Sequence, residues 1–304
     1  MTEFCSGFIA ILGKPNVGKS TLVNALLGQK IAAVSPRPQT TRRRQLGILT
    51  TETAQLVFVD TPGIHAPRHK LGQFFNQEAE AALDGVDIVL FLVDAGTLPD
   101  EEDRQVTDLL RSLRRKPKMI LGLNKIDLLP DGELEARKEA YQKLLPKAAL
   151  LAFSAANHDG LKELLAALEA ALPVRPPEFP GDQVTDQYER EIAVELIREA
   201  ALIYLQKEVP HALAVRMDEF SERGNGSAFI AATLFVERDS QKGIVIGEGG
   251  KMLKKIGSAA RKEIESMSGR KVFLQLRVKV EKDWRDDENA LQRFGYKLKG
   301  RRLK

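Results

Sequence analysis

The chain has 304 residues, with 46 Lys and Arg against 42 Asp and Glu, a net charge of +4 and 43% hydrophobic residues. That length exceeds one typical domain and suffices for two with proper cores; the mild positive charge suits a nucleic-acid partner without requiring one. The single cysteine, Cys5, excludes a disulfide framework and fits the cytosol; no basic segment precedes a long apolar one, and no apolar run approaches about 20 residues, so neither export nor membrane spanning is expected.

In chain order, the apolar run Phe8 to Leu12 predicts a strand over 8–13, followed by Gly13-Lys14-Pro15-Asn16-Val17-Gly18-Lys19-Ser20 and a helical pattern from Lys19 through Thr21 to Leu27. Strands are expected over 46–50 and 54–60, the second ending in Asp60-Thr61-Pro62-Gly63, and a helix over Leu71 to Leu83. A strand over 86–94, a helix over Glu101 to Arg115 and a strand over 118–123 follow, then Asn124-Lys125-Ile126-Asp127. A helix over Leu134 to Leu144, a strand over 149–153 and a helix over Leu161 to Ala171 complete an alternation that predicts an α/β fold with a doubly wound, mostly parallel sheet. Glu101-Glu102-Asp103 reads as a helix start favoured by the dipole, and Arg42-Arg43-Arg44 as either a solvated segment or an RNA contact.

The three strings share one chemistry. Gly13 to Ser20 fits G-x-x-x-x-G-K-[ST] between a strand and a helix, the context in which backbone N–H groups and a helix N-terminus cradle phosphates. Lys19 is expected to reach the β- and γ-phosphates, and Ser20 to ligate Mg²⁺. Asp60, at the C-terminal edge of the sheet, is expected to hold Mg²⁺ through water, with the Gly63 N–H facing the γ-phosphate. Asn124, Lys125 and Asp127 follow another strand on the same edge. Guanine presents N1–H and a 2-amino group side by side, and the Asp127 carboxylate can accept from both, so the nucleotide is expected to be GTP or GDP.

Val174 to Asp186, with four prolines in or beside it, reads as a stiff, extended linker. The expected division is therefore 1–173, linker 174–186, and 187–304 with a basic tail ending in Lys297, Lys299, Arg301, Arg302 and Lys304. The second half has another grammar. Tyr188 to Leu205 is helical; 212–220 and 228–236 alternate as strands around the turn Arg223-Gly224-Asn225-Gly226; Gln241 to Ile246 and Lys251 to Met267 are helices flanking Gly247-Glu248-Gly249-Gly250; Lys271 to Val280 is a last strand. This α-β-β-α-α-β order, with G-x-x-G between the later helices, resembles a type II KH domain, whose loop clamps single-stranded RNA. The expected RNA contacts are Gly247, Glu248, Gly249, Gly250, Lys251, Lys254 and Lys255, with Arg261 and Lys262 just beyond.

Taken whole, the chain resembles the Era-type GTPases, a G domain followed by a KH domain. The resemblance rests on the strings above, on Pro38-Gln39-Thr40-Thr41-Arg42, on Phe179 to Asp186, on Ile246 to Ile256, and on Trp284-Arg285-Asp286-Asp287 with Leu291 and Gly295-Tyr296. It implies GTP hydrolysis, binding to the 3′ end of small-subunit ribosomal RNA, action in small-subunit assembly, and a cytoplasmic monomer with peripheral contact at the inner membrane. It also implies that Thr40 or Thr41 senses the γ-phosphate through Mg²⁺, and that Ser154-Ala155 reaches the base oxygen through backbone N–H. Asn16 resembles an asparagine that binds K⁺ in related GTPases, although it can also simply brace the loop. Ile64 stands where Ras-like GTPases carry the water-orienting glutamine, so no catalytic residue is assigned and slow intrinsic hydrolysis is expected. Alternative readings are a transfer-RNA modification GTPase, which the absence of a C-terminal cysteine or nucleophile cluster disfavours, and a scaffold in which GTP is structural.

Overall fold

The computed structural model describes residues 3–35, 37, 39–67, 69–224 and 226–296. The expected basic tail, together with Pro38 and Asn225 of the strings above, lies outside them. The described residues form two sheets; those within 1–32, 41–66 and 75–186 make one compact unit, and those within 33–40, 67–74 and 187–304 a second.

The first unit holds β1 (Cys5–Leu12), α1 (Lys19–Leu27), β2 (Gln45–Thr50), β3 (Ala54–Asp60), β4 (Ile88–Asp94), α3 (Glu101–Ser112), β5 (Lys118–Asn124), α4 (Leu134–Gln142), β6 (Ala149–Phe153), α5 (Leu161–Ala171) and most of α2 (Lys70–Ala81). The strand order is β2-β3-β1-β4-β5-β6, parallel throughout except for β2 against β3. Burial on both faces explains the apolar runs Phe8–Leu12 in β1 and Ile88–Val93 in β4. On β4, Ile88, Leu90 and Leu92 join one core with α1 and α5, while Val89, Phe91 and Val93 join the other with α3 and α4. The parallel strands all end at one edge, and the loops after β1, β3, β5 and β6 carry the strings picked out in the sequence.

Residues 174–186 group with this first unit. Gln55 of β3 is the anchor: its Oε1 accepts from the N–H groups of Glu178 at 2.8 Å and Phe179 at 3.0 Å, and its Nε2 donates to Phe179 O at 2.8 Å. Further on, Ile48 N–H donates to Val184 O at 2.9 Å and Leu46 N–H to the Asp186 carboxylate at 2.9 Å, which covers the outer edge of β2. The prolines keep this strap extended, and the polar strand edge gives it somewhere to bind.

The second unit contains α6 (Glu189–Tyr204), β7 (Ala214–Glu222), β8 (Ala228–Val236), α7 (Asp239–Ile246), α8 (Lys251–Ser268), β9 (Val272–Val280) and α9 (Glu288–Arg293). β7 pairs antiparallel with β8, and β8 parallel with β9. Alternate residues of β8, from Ala228 to Val236, bury against Leu196, Ile197 and Ala201 of α6 and Ile256, Ala260 and Ile264 of α8. Trp284 is fully buried, donates its Nε1–H to Ala212 O at 2.8 Å, and meets Phe294 edge-on at 5.3 Å. Tyr296 stacks on the same indole at 6.2 Å, and these two ring contacts account for the Trp and Tyr signals near the end of the sequence.

Candidate functional site: a phosphate loop, a base loop and a glycine clamp

The loop after β1 is held from three directions. Lys19 is buried, and its ammonium donates to Gly13 O at 3.1 Å and Lys14 O at 3.0 Å. Burial lowers its pKa to about 8, with Asp60 pulling the other way. Gly63, after β3, packs so closely that a Cβ there would lie 2.6 Å from Pro15 N, which only glycine permits. Lys14 reaches away from the loop to Asp100 at 2.6 Å and Asp103 at 3.1 Å at the start of α3. Burial opposes the Lys14 charge, but the two carboxylates overcome it and raise its pKa. Asp100 and Asp103 also form the reciprocal capping box of α3. The acidic helix start read as a dipole effect is therefore also an ion-pair anchor for the phosphate loop.

Ser20, Thr41 and Asp60 converge. Ser20 Oγ lies 2.7 Å from Asp60 Oδ2 and 2.7 Å from Thr41 Oγ1, and Thr41 Oγ1 lies 3.2 Å from the same carboxylate oxygen. Thr40 instead donates to Arg37 O at 2.8 Å, so of the tandem pair it is Thr41 that joins the cluster. Gln45, which the sequence did not single out, adds its Nε2–H at 3.4 Å. Asp60 is fully buried, which raises its pKa despite these donors, and its Oδ1 has no hydrogen-bond partner among the described residues. Two hydroxyls and a buried carboxylate with an unused oxygen are a hard-oxygen donor set that fits Mg²⁺.

Asn124 ties the phosphate loop to the base side. Its Nδ2–H donates to Val17 O at 2.8 Å, while its Oδ1 accepts from Ala155 N–H at 2.9 Å. Gly18 faces it: a Cβ there would sit 2.4 Å from Asn124 Nδ2. Lys125 adopts left-handed backbone and pairs with Asp94 Oδ2 at 2.6 Å, and Asp127 stands exposed in the following 3-10 turn. Asp94 was missed although it ends β4 at the same sheet edge, which is the signal that could have found it. The Ala155 N–H, expected to face the base, is given to Asn124, and that of Ser154 to Asp159 O at 2.9 Å. The 154–155 loop here serves to hold Asn124. Ile64 packs in the core with Ala10, Leu12 and Phe91, which leaves no polar group at the glutamine position.

Arg42 departs from the solvated reading of Arg42-Arg43-Arg44. It is 1% exposed, whereas Arg43 and Arg44 face solvent. A guanidinium on a long apolar stem can bury that stem along the protein, so the buried Arg42 packs into the first unit where its two neighbours do not.

In the second unit, α7 ends at Ile246 and α8 begins at Lys251, with positive φ at Gly247, Gly249 and Gly250 between them. A Cβ at Gly247 would lie 2.7 Å from that of Met252, so the turn requires glycine there. Glu248 is exposed and lies 3.8 Å from Lys251. Lys251, Lys254, Lys255, Arg261 and Lys262 are all exposed along α8, and Lys255 stands 4.4 Å above the Tyr204 ring. A cleft of about 570 Å³ runs beside them, lined by Gly250 of the clamp, Lys254 and Arg261 of α8, and Phe229 and Phe273 of the sheet.

A phosphate loop on a doubly wound sheet, followed by a glycine clamp between two helices on a three-stranded sheet, defines a P-loop GTPase carrying a KH domain. Residues 8–125 match the family model for the 50S ribosome-binding GTPases, and 208–285 match the KH domain model. GTPase Era of Geobacter metallireducens is 48% identical over 294 residues, 96% of this chain and 98% of the relative. GTPase Era of Ruminiclostridium cellulolyticum is 45% identical over 295 residues, 97% and 98% of the two chains. Among solved structures, Era in complex with MgGDPNP and nucleotides 1506–1542 of 16S ribosomal RNA superposes with a TM-score of 0.92 at 37% identity, covering 97% of this chain and 100% of that one. A variant of Aquifex aeolicus Era bound to GDP.AlF4⁻ gives the same TM-score, identity and coverage. The chain belongs to the Era family of GTPases.

Proposed function

We propose that this GTPase is a switch that binds single-stranded RNA at the 3′ end of small-subunit ribosomal RNA through its KH domain, and that it acts in assembly and maturation of the small ribosomal subunit. The observation that carries this reading is the likeness, over nearly the whole of both chains, to Era in complex with MgGDPNP and a 16S ribosomal RNA segment. The exposed lysines beside the Gly247–Gly250 clamp supply the charge such a partner needs. The functional division remains 1–173 for the G domain, 174–186 for the connection and 187–304 for the RNA-binding part.

Each residue has a role in this reading. The N–H groups between Gly13 and Thr21, the proline Pro15 excepted, cradle the phosphates, and Lys19 neutralises the β- and γ-oxygens. Ser20, Thr41 and Asp60 hold Mg²⁺, which when bound supplies charge neutralisation between the β- and γ-phosphates. Asp127 accepts from the guanine N1–H and 2-amino group, Asn124 fixes both loops, and Lys125, Ser154 and Ala155 border the base. Ile64 cannot orient water, so intrinsic hydrolysis is slow and a partner, RNA or a cation accelerates it. Asn16, in left-handed backbone at φ 66°, is the K⁺ ligand of this reading; equal turnover in K⁺ and Na⁺ buffers would remove it from that role.

The protein acts as a cytoplasmic monomer with peripheral contact at the inner membrane; among the described residues no helix is long and apolar enough to cross a membrane. In-cell crosslinking and sequencing of bound RNA, with the natural chain and Gly250→Asp, tests the function. Gly250 has positive φ, which Asp tolerates better than most residues, and open space where a Cβ would stand, so the variant adds charge at little steric cost. A dominant peak at the 3′ end of small-subunit ribosomal RNA, lost in the variant, is expected. A peak on transfer RNA, or one indifferent to the variant, refutes the assembly reading.

A further inference from the structure

Two phenylalanines stand together on the three-stranded sheet where the fold alone does not call for them. Phe229 of β8 and Phe273 of β9 are direct partners in the parallel register, so their side chains leave the sheet on the same face. Their neighbours Ile230 and Val272 point the other way, into the core beneath α6 and α8. β9 is an edge strand, and Phe273 is 52% exposed on it. Soluble proteins usually place charge or proline at such an edge, because an apolar edge invites association. Here a cation covers the rings instead: the Arg223 guanidinium, from the turn between β7 and β8, lies 5.2 Å from the Phe229 ring centre and 4.8 Å from that of Phe273.

The rings also line the cleft of about 570 Å³ that Gly250 of the clamp and Lys254 and Arg261 of α8 close. A half-exposed aromatic face, a guanidinium at stacking distance and two further cations in one cleft are the elements with which proteins hold unpaired bases: the ring takes the π-face, the cations take the phosphates. A glycine clamp grips the nucleic-acid backbone and by itself has no use for an aromatic wall.

We propose that Phe273, backed by Phe229 and Arg223, is a base-stacking shelf that receives one nucleobase of the single-stranded RNA whose backbone the Gly247–Gly250 clamp grips. The inference rests on the RNA-binding reading above. The shelf is continuous with the clamp through the shared cleft, and its positive border suits a polyanion rather than a basic or apolar partner. Stacking accepts any base, so the shelf adds affinity more than sequence choice.

The test uses the full chain and fluorescein-labelled RNA from the 3′ end of small-subunit ribosomal RNA, together with versions in which each position in turn is abasic. Phe273→Ala is expected to weaken binding roughly tenfold, Phe273→Tyr to retain it, and Phe273→Leu to behave like Phe273→Ala. One abasic position is expected to weaken binding to the natural chain and to leave binding to Phe273→Ala unchanged. Phe273→Trp adds an exposed indole to a chain whose Trp284 is buried, and stacking quenches its emission when RNA binds. Unchanged affinity in Phe273→Ala, alongside lost binding in Gly250→Asp, overturns the shelf and leaves the RNA-binding reading standing. Affinity preserved in Phe273→Leu overturns stacking in favour of plain apolar contact. Failure of the natural chain to bind any of these RNAs overturns both readings.

Discussion

Replacing Lys14 with Met keeps the length and apolar stem of the side chain and removes its charge. In the structure Lys14 is 10% exposed, Asp103 0% and Asp100 51%, with the ammonium 2.6 Å from Asp100 and 3.1 Å from Asp103. Asp100 can return to water and contributes little, on the order of 0–1 kcal/mol. Asp103 cannot: it keeps the Asp100 N–H at 3.1 Å, but its Oδ1 has no partner among the described residues and its countercharge is gone. Stranding one member of a buried pair costs about 3–5 kcal/mol, and the retained bond and the option of protonation place this case near the lower end, about 3 kcal/mol. Burial already raises the pKa of Asp103 with Lys14 present, and loss of the ammonium raises it further. A carboxyl whose folded pKa exceeds its unfolded one stabilises the fold as pH falls, so the deficit is expected to shrink in acid. The assay is urea unfolding followed by circular dichroism at neutral and mildly acidic pH, with the emission of buried Trp284 reporting the second unit separately. Lys14→Met/Asp103→Leu is expected to recover most of the loss, because an apolar pair replaces an ionic one. A loss below about 1 kcal/mol in the single variant, or a deficit indifferent to pH, would refute the reasoning.

Three further outcomes are expected. Gly18→Ala places a Cβ 2.4 Å from Asn124 Nδ2 at φ +100°, displacing the amide that holds Val17 O and Ala155 N–H; GDP affinity by fluorescent-nucleotide titration drops about hundredfold, and an unchanged affinity contradicts the Asn124 bridge. Asp127→Asn moves preference from guanine toward xanthine nucleotides, measured by competition, because the amide offers a donor where guanine also donates. Lys19, with a pKa of about 8 against an ordinary 10.5, contributes stability to the free chain that grows as pH rises through that interval; phosphate binding restores its charge, so calorimetry near about pH 9 in buffers of different ionisation enthalpy detects proton uptake, and none would count against the buried ammonium.

Elements whose signal is local were legible in the sequence. β8 runs over the expected 228–236, α1 over 19–27 and α5 over 161–171, because a strand packed on one core alternates in sequence and amphipathic helices write a 3.6-residue period. The nucleotide site was legible because its loops follow parallel strands that end at one edge. What escaped was long-range. Lys14 meets Asp100 and Asp103 across 86 and 89 residues, Gln45 reaches Asp60 from a neighbouring strand, and the tandem Thr40-Thr41 resolves only when one hydroxyl faces Ser20. The short α9 carries too little periodicity to stand out, and the buried Arg42 has the same letter as its exposed neighbours.

The strap over residues 174–186 bears on where the chain can be cut. A fragment ending at Pro173 would strip Val184 and Asp186 from β2 and release Gln55 from Phe179, baring a row of unpaired amides along a six-stranded sheet. Such a border is a template for strand-by-strand growth between molecules, so the shorter fragment would be prone to aggregate and the one carried through Asp186 would not.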